Sequence, residues 1–125
     1  MNQIGPMIEV IVYVEDMDSQ VSFYRDTLGL SIGYPKGLDN YSNQMWVTFE
    51  TGACSLALHG GGKGRLGADT PKIVFQVQDI AATRQELISR GVKMGEIRTA
   101  APGILVCDGE DPEGIPFSIE SQKLV

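Results

Sequence analysis

The single histidine of the chain, His59, opens a glycine-rich string, HGGGKGRLG, that runs to Gly67. Within it Gly62, Gly64 and Gly67 form a literal G-x-G-x-x-G, and His59 to Gly62 form an H-G-G-G. The first pattern could cradle a pyrophosphate, and the second could supply oxyanion-hole amides. A dinucleotide loop has to follow a strand and open a helix, because the helix N-terminus holds the phosphates. A strand-like run, ACSLALH, precedes the glycines, but Pro71 and the alternating run Lys72 to Val77 follow them and predict a turn and then another strand. The Walker pattern fails because Lys63 is followed by Gly64. Esterase chemistry needs a G-x-S-x-G nucleophile elbow on a strand-to-helix turn, and it is not expected here. The string is therefore expected to be a flexible connection.

Two cysteines, Cys54 and Cys107, each lie inside an apolar strand-like run. They are expected to be free, buried thiols of a cytoplasmic protein, and a Cys–His nucleophile would have to recruit the lone His59. The chain has 125 residues and a formal net charge of −6. That length suits one domain. The charge disfavours nucleic acid and anionic membranes as partners. Neither a signal peptide nor a membrane-spanning run is apparent.

The connection joins two copies of one pattern. An offset of 63 residues carries Glu9 onto Lys72, Val14 onto Val77 and Asp16 onto Asp79. Each copy begins with an alternating strand and continues into a helix, expected near Met17 to Leu28 and Asp79 to Arg90. Met17, Val21, Tyr24 and Leu28 mark one apolar face, and Ile80, Leu87 and Ile88 the other. Asp16 or Asp18 can cap the first helix and Asp79 the second, with Gly29 and Gly91 as stops. The stops are offset by 62, one residue adrift. Three strand-like runs follow each helix: about Ser31 to Pro35, Gln44 to Thr51 and Ala53 to His59, then about Lys93 to Arg98, Gly103 to Asp108 and Ile115 to Glu120. Pro112 and Gly114 suit a type I turn, which accounts for Asp111 and Glu113 without acid–base chemistry. The expected fold is α+β, a single domain over residues 1–125. Module 1 covers about 7–59, the glycine-rich linker 60–70 and module 2 about 71–121.

Paired βαβββ modules, FYRDTLGL at Phe23 to Leu30, LALH at Leu56 to His59 and EDPEGIPFSIE at Glu110 to Glu120 resemble the vicinal oxygen chelate superfamily. This is the family of glyoxalase I, bleomycin-resistance proteins, fosfomycin-resistance enzymes and extradiol dioxygenases. The resemblance covers nearly the whole chain. It implies two modules whose mixed sheets form a half-open pocket, pairing of modules in a homodimer, and metal ligands on the first and last strands of each module. Those ligand positions fall here on Glu9, Lys72, Ala57 and Ser118, of which only Glu9 is a good ligand.

Strand alternation puts Glu9, Ile11 and Tyr13 on one face of the first strand, opposite Val10, Val12 and Val14. By the same parity Lys72, Val74 and Gln76 share a face, as do Ser55, Ala57 and His59, and Ser118 with Glu120. The ligand-binding candidates are Glu9, Tyr13, Trp46, His59, Lys72, Gln76, Ser118 and Glu120, with Tyr13, Trp46 and Tyr41 as stacking surface. An ion pair between Glu9 and Lys72, within one chain or across a dimer, is expected in place of a metal, since an ammonium repels a dication. No cofactor is expected. The leading function is binding of a small organic molecule. One alternative is a metal-dependent lyase or ring-cleaving dioxygenase with a divalent ion on a shifted set, Glu9, His59 and Glu120. Another is a drug-sequestering resistance protein. Whether any reaction is catalysed stays open.

Overall fold

A computed structural model describes residues 7–63 and 71–122. The chain divides into two compact units, Met1–Gly64 and Arg65–Val125. In module 1, β1 (Glu9–Tyr13) leads into α1 (Met17–Ser22), and β2 (Ser31–Tyr34), β3 (Trp46–Glu50) and β4 (Ser55–His59) follow. In module 2, β5 (Ile73–Gln76) leads into α2 (Ile80–Ser89), then β6 (Arg98–Ala101), β7 (Ile104–Glu110) and β8 (Pro116–Gln122). Both modules are βαβββ. Each sheet is open and mixed, with strand orders β1-β4-β3-β2 and β5-β8-β7-β6. The first strand of each module runs parallel to the last, and the remaining neighbours are antiparallel. Among the described residues no helix is long and apolar enough to cross a membrane.

The helix caps are the ones the aspartates predict. Asp16 accepts from the Ser19 amide at 3.1 Å and Asp79 from the Ala82 amide at 3.0 Å, each satisfying an amide that the first turn leaves without a partner. Asp18 instead accepts from the Tyr41 amide at 2.8 Å, tying a loop to the helix. Gly91 (φ +88°) ends α2 with its own amide on the Ile88 carbonyl and the Val92 amide on that of Leu87, the pair of bonds that a left-handed C′ residue makes.

The first helix differs from the second by one residue. Phe23–Thr27 form a π-helical turn continuing α1, and the Leu28 amide reaches back five residues to the Phe23 carbonyl. A π turn is one residue wider than an α turn. It absorbs the residue by which the offset drops from 63 to 62 between the caps and the stops.

Each helix packs on one face of its own sheet. In module 1 Met17, Val21 and Tyr24 are buried with Val12, Val47, Phe49, Leu56 and Leu58, and the Tyr24 and Phe49 rings stand 6.0 Å apart. In module 2 Ile80 and Leu87 are buried with Cys107, Phe117 and Ile119, whereas Ile88 is exposed and leaves the apolar face it was expected to share. The strand expected over Lys93 to Arg98 begins only at Arg98. Before it Met94 makes a single bridge to Gly109, and the Gly95 amide bonds the Asp108 carbonyl. EDPEG forms the expected turn: the Gly114 amide bonds the Asp111 carbonyl, and the buried Asp111 carboxylate accepts from the Glu113 and Ile115 amides, all at 2.9 Å.

Candidate functional site

The opposite, helix-free face of each sheet carries the candidate residues. Register fixes which of them meet. In module 1, Tyr13 pairs with His59 and His59 with Trp46, so three aromatic side chains form one rung across β1, β4 and β3. The His59 ring lies 5.1 Å from Tyr13, tilted, and 5.9 Å from Trp46, edge-on. Tyr13 is 47% exposed, and Trp46 and His59 are half-buried. Two residues on, the next rung is Ile11, the buried Ala57 and Thr48. After it come Glu9, Ser55 and Glu50. Tyr41 is not part of this surface. It is buried, its hydroxyl donates to the Pro35 carbonyl at 2.8 Å, and Arg25 lies over its ring.

The first glycines after His59 are not simply a connection. The Gly60 amide extends the β3–β4 ladder to the Met45 carbonyl at 2.8 Å. Gly62 lies against the rung: a Cβ there would come 3.0 Å from Cδ1 of Tyr13. Gly64 and Gly67, and the expected linker from 64 to 70, lie outside the described residues. A G-x-S-x-G string is also present, at Gly29–Gly33, and bears on the esterase question. Its Gly29 (φ +80°) ends the first helix and its exposed Ser31 begins β2. That order, helix then strand, is the reverse of a nucleophile elbow.

In module 2 the central residue is one that the sequence did not single out. Asp108, on β7, pairs with Ser118 of β8 and shares the helix-free face. Its carboxylate accepts from the Ser118 hydroxyl, from Arg98 Nη1 and, at 3.2 Å, from Lys72 Nζ. Burial pushes the Asp108 carboxyl up, but the hydrogen bonds from Ser118, Arg98 and Lys72, with the Lys72 charge, outweigh it and hold the group at about 2. Lys72, expected to face Glu9, thus has a carboxylate partner in its own sheet. Gln76 pairs with Glu120 at the far end of β5, and Glu120 accepts from Gln122 Nε2 at 2.7 Å. The signal for Asp108 was parity: it stands two residues from Val106 and directly opposite Ser118.

Within module 1 the Glu9 and His59 of the shifted metal set stand apart. Glu9 pairs with Ser55, four residues before His59 on β4, which at strand rise is roughly 13 Å. Side chains standing perpendicular to the sheet do not close that gap. Among the described residues no three His, Cys, Asp or Glu side chains come together as a metal group. Of the cysteines, Cys107 is buried, with its thiol on the Gly95 carbonyl and its pKa raised by burial, whereas Cys54 is half-buried rather than mostly buried as expected.

A family model described as Glyoxalase/Bleomycin resistance protein/Dioxygenase superfamily matches residues 6–119. The chain belongs to this superfamily. Solved structures share its fold. One, described as a glyoxalase family protein from Bacillus anthracis, is 21% identical, with 98% of this chain and 99% of that chain covered and a TM-score of 0.77. TnmS3, an antibiotic binding protein from Streptomyces sp. CB03234, is 18% identical, with coverage of 98% and 100% and a TM-score of 0.75. A lactoylglutathione lyase from Agrobacterium tumefaciens is 19% identical, with coverage of 94% and 94% and a TM-score of 0.71. No curated protein matches the chain.

The superfamily's metal positions can be tested on their side chains. Glu9 offers a carboxylate. Ala57 offers a buried methyl group. Lys72 is tied to Asp108, and the Ser118 hydroxyl donates to the same carboxylate. One carboxylate, one methyl, one ammonium and one committed hydroxyl do not fit a divalent ion.

Proposed function

We propose that this superfamily member binds a small, flat organic molecule on the helix-free face of module 1, without the family's metal. The observation that carries the proposal is the partly exposed rung Tyr13–His59–Trp46. Three rings held in register offer a flat ligand stacking and edge contacts, and an exposed cluster of large apolar groups marks a binding surface more often than a random one. The donor set at the family's metal positions supports binding without metal chemistry. It favours a sequestering protein over a lyase or dioxygenase.

Trp46 is the single tryptophan, so its indole N–H gives one signal in a nitrogen–proton correlation spectrum. Titration with naphthol should move that signal saturably in the wild type and much less in Tyr13→Ala. Retention of one equivalent of zinc, nickel or iron after dialysis, lost in Glu9→Ala, would overturn the metal-free reading in favour of the enzyme.

A further inference from the structure

The His59 ring has a fixed hydrogen-bonding polarity. Its Nδ1 lies 2.7 Å from the carbonyl oxygen of Gly60. A carbonyl only accepts, so Nδ1 must carry the proton, and in the neutral imidazole Nε2 is then an acceptor. Among the described residues Nε2 has no hydrogen-bond partner. The neighbours of the ring do not supply one: Tyr13 and Trp46 meet it as rings. The middle of the aromatic rung is therefore a lone-pair acceptor in a half-buried setting between two apolar surfaces. The Gly60 amide is occupied by the Met45 carbonyl, which keeps the Gly60 segment, and with it the acceptor of the Nδ1 bond, in place.

We infer that His59 is a specificity-determining residue that selects aromatic ligands carrying a hydrogen-bond donor, such as a phenolic hydroxyl or a ring N–H, over the same ring system without one. This rests on the aromatic rung being the binding surface. Stacking supplies affinity for any flat ring, while Nε2 discriminates among them. A ligand donor that covers Nε2 replaces the water that would otherwise satisfy it, whereas an apolar edge set there leaves an acceptor without a partner. The Gly60 carbonyl acts as a positioning group by fixing the tautomer.

The test compares naphthol with methoxynaphthalene, which has the same ring but no donor, by the shift of the Trp46 indole signal. Wild type should bind naphthol about 2- to 10-fold more tightly, the range of one net hydrogen bond. His59→Phe keeps a ring in the rung but removes the acceptor. It should still bind methoxynaphthalene and should bind the two compounds equally. Equal affinities in wild type, or a preference for naphthol that survives in His59→Phe, would overturn the inference while leaving the stacking surface standing. If neither compound moves the Trp46 signal in wild type, the binding surface itself is wrong and the role of His59 falls with it.

Discussion

On the rung where module 1 sets Phe49 of β3 opposite Leu56 of β4, module 2 sets Gly109 of β7 opposite Phe117 of β8. Both arrangements bury one ring under the helix. Phe49 and Phe117 are each fully buried, but the ring comes from the opposite strand. The strand that supplies the ring differs, and in module 2 the space beside Gly109 is taken by Met94, whose Sδ would stand 2.7 Å from a Cβ there, as expected of a close-packed core. The helix-free faces differ more. The Tyr13–His59–Trp46 rung corresponds in register to Gln76–Glu120–Val106, and the Thr48–Ala57 pair corresponds to Asp108–Ser118. One module presents three rings where the other presents an amide, a carboxylate and the buried Val106, and one has a plain methyl where the other has a charged network. Duplicated scaffold, divergent surface is the pattern expected when function is grafted onto a fold.

The ring exchange gives the largest expected effects. Phe49→Ala and Phe117→Ala should each cost about 3–5 kcal/mol in urea unfolding, as cavities do at fully buried aromatics. Gly109→Ala should cost about 1–3 kcal/mol by overpacking, because its Cβ would stand 2.9 Å from Cζ of Phe117 and 2.7 Å from Sδ of Met94. In a Phe117→Leu background, which imitates the Leu56 of module 1, the same Gly109→Ala change should cost less. Equal costs in both backgrounds would show that the two rungs are not interchangeable solutions.

The helix starts should behave alike, which tests the likeness rather than the difference. Asp16→Ala and Asp79→Ala should each destabilise by about 1 kcal/mol, the usual worth of an N-cap. A clearly larger loss at Asp16 than at Asp79 would break the likeness of the two helix starts.

The sequence showed what repeats and hid what diverges. The offset from Glu9 to Lys72, the capping aspartates and the stop glycines all mark backbone geometry, and geometry writes itself in residue types with few substitutes. The drift from 63 to 62 was visible as well, but an inserted residue can be taken up in a loop or in a helix, and only the Leu28-to-Phe23 bond identifies a π turn. The aromatic rung was half legible. Alternation placed Tyr13 and His59 on one face, but that Trp46 meets His59 depends on antiparallel register, which strand composition does not fix. Asp108 stayed hidden because its partners, Lys72, Arg98 and Ser118, come from three other strands or strand ends. The repeat sets Lys72 at the place of Glu9 but says nothing of Asp108, the carboxylate that Lys72 meets in its own module. The Gly29–Gly33 string shows the reverse case, a motif present without its structural context.

The charged network sets the smallest expected effect and the one that pH can isolate. Asp108 is partly exposed, its side chain at 42%, so solvent screens its pairs. At neutral pH Asp108→Asn should cost about 1 kcal/mol or less. The sign of the pH dependence follows from the direction of the shift. The folded carboxyl titrates at about 2 and the reference value is 3.8, so folding favours the ionised form. That contribution is fully present above the unfolded value and is lost as pH falls through the folded one. The stability difference between wild type and Asp108→Asn should therefore be constant from about pH 7 down to the upper end of this window, then shrink toward zero near its lower end. Molar salt should reduce it at every pH by screening Lys72 and Arg98. Thr48→Val, at the matching position of module 1, has no charge to lose and should give a pH-independent difference. If Asp108→Asn also gives a difference that ignores pH and salt, the side chain serves by shape and neutral hydrogen bonding, and the electrostatic distinction between the two modules disappears.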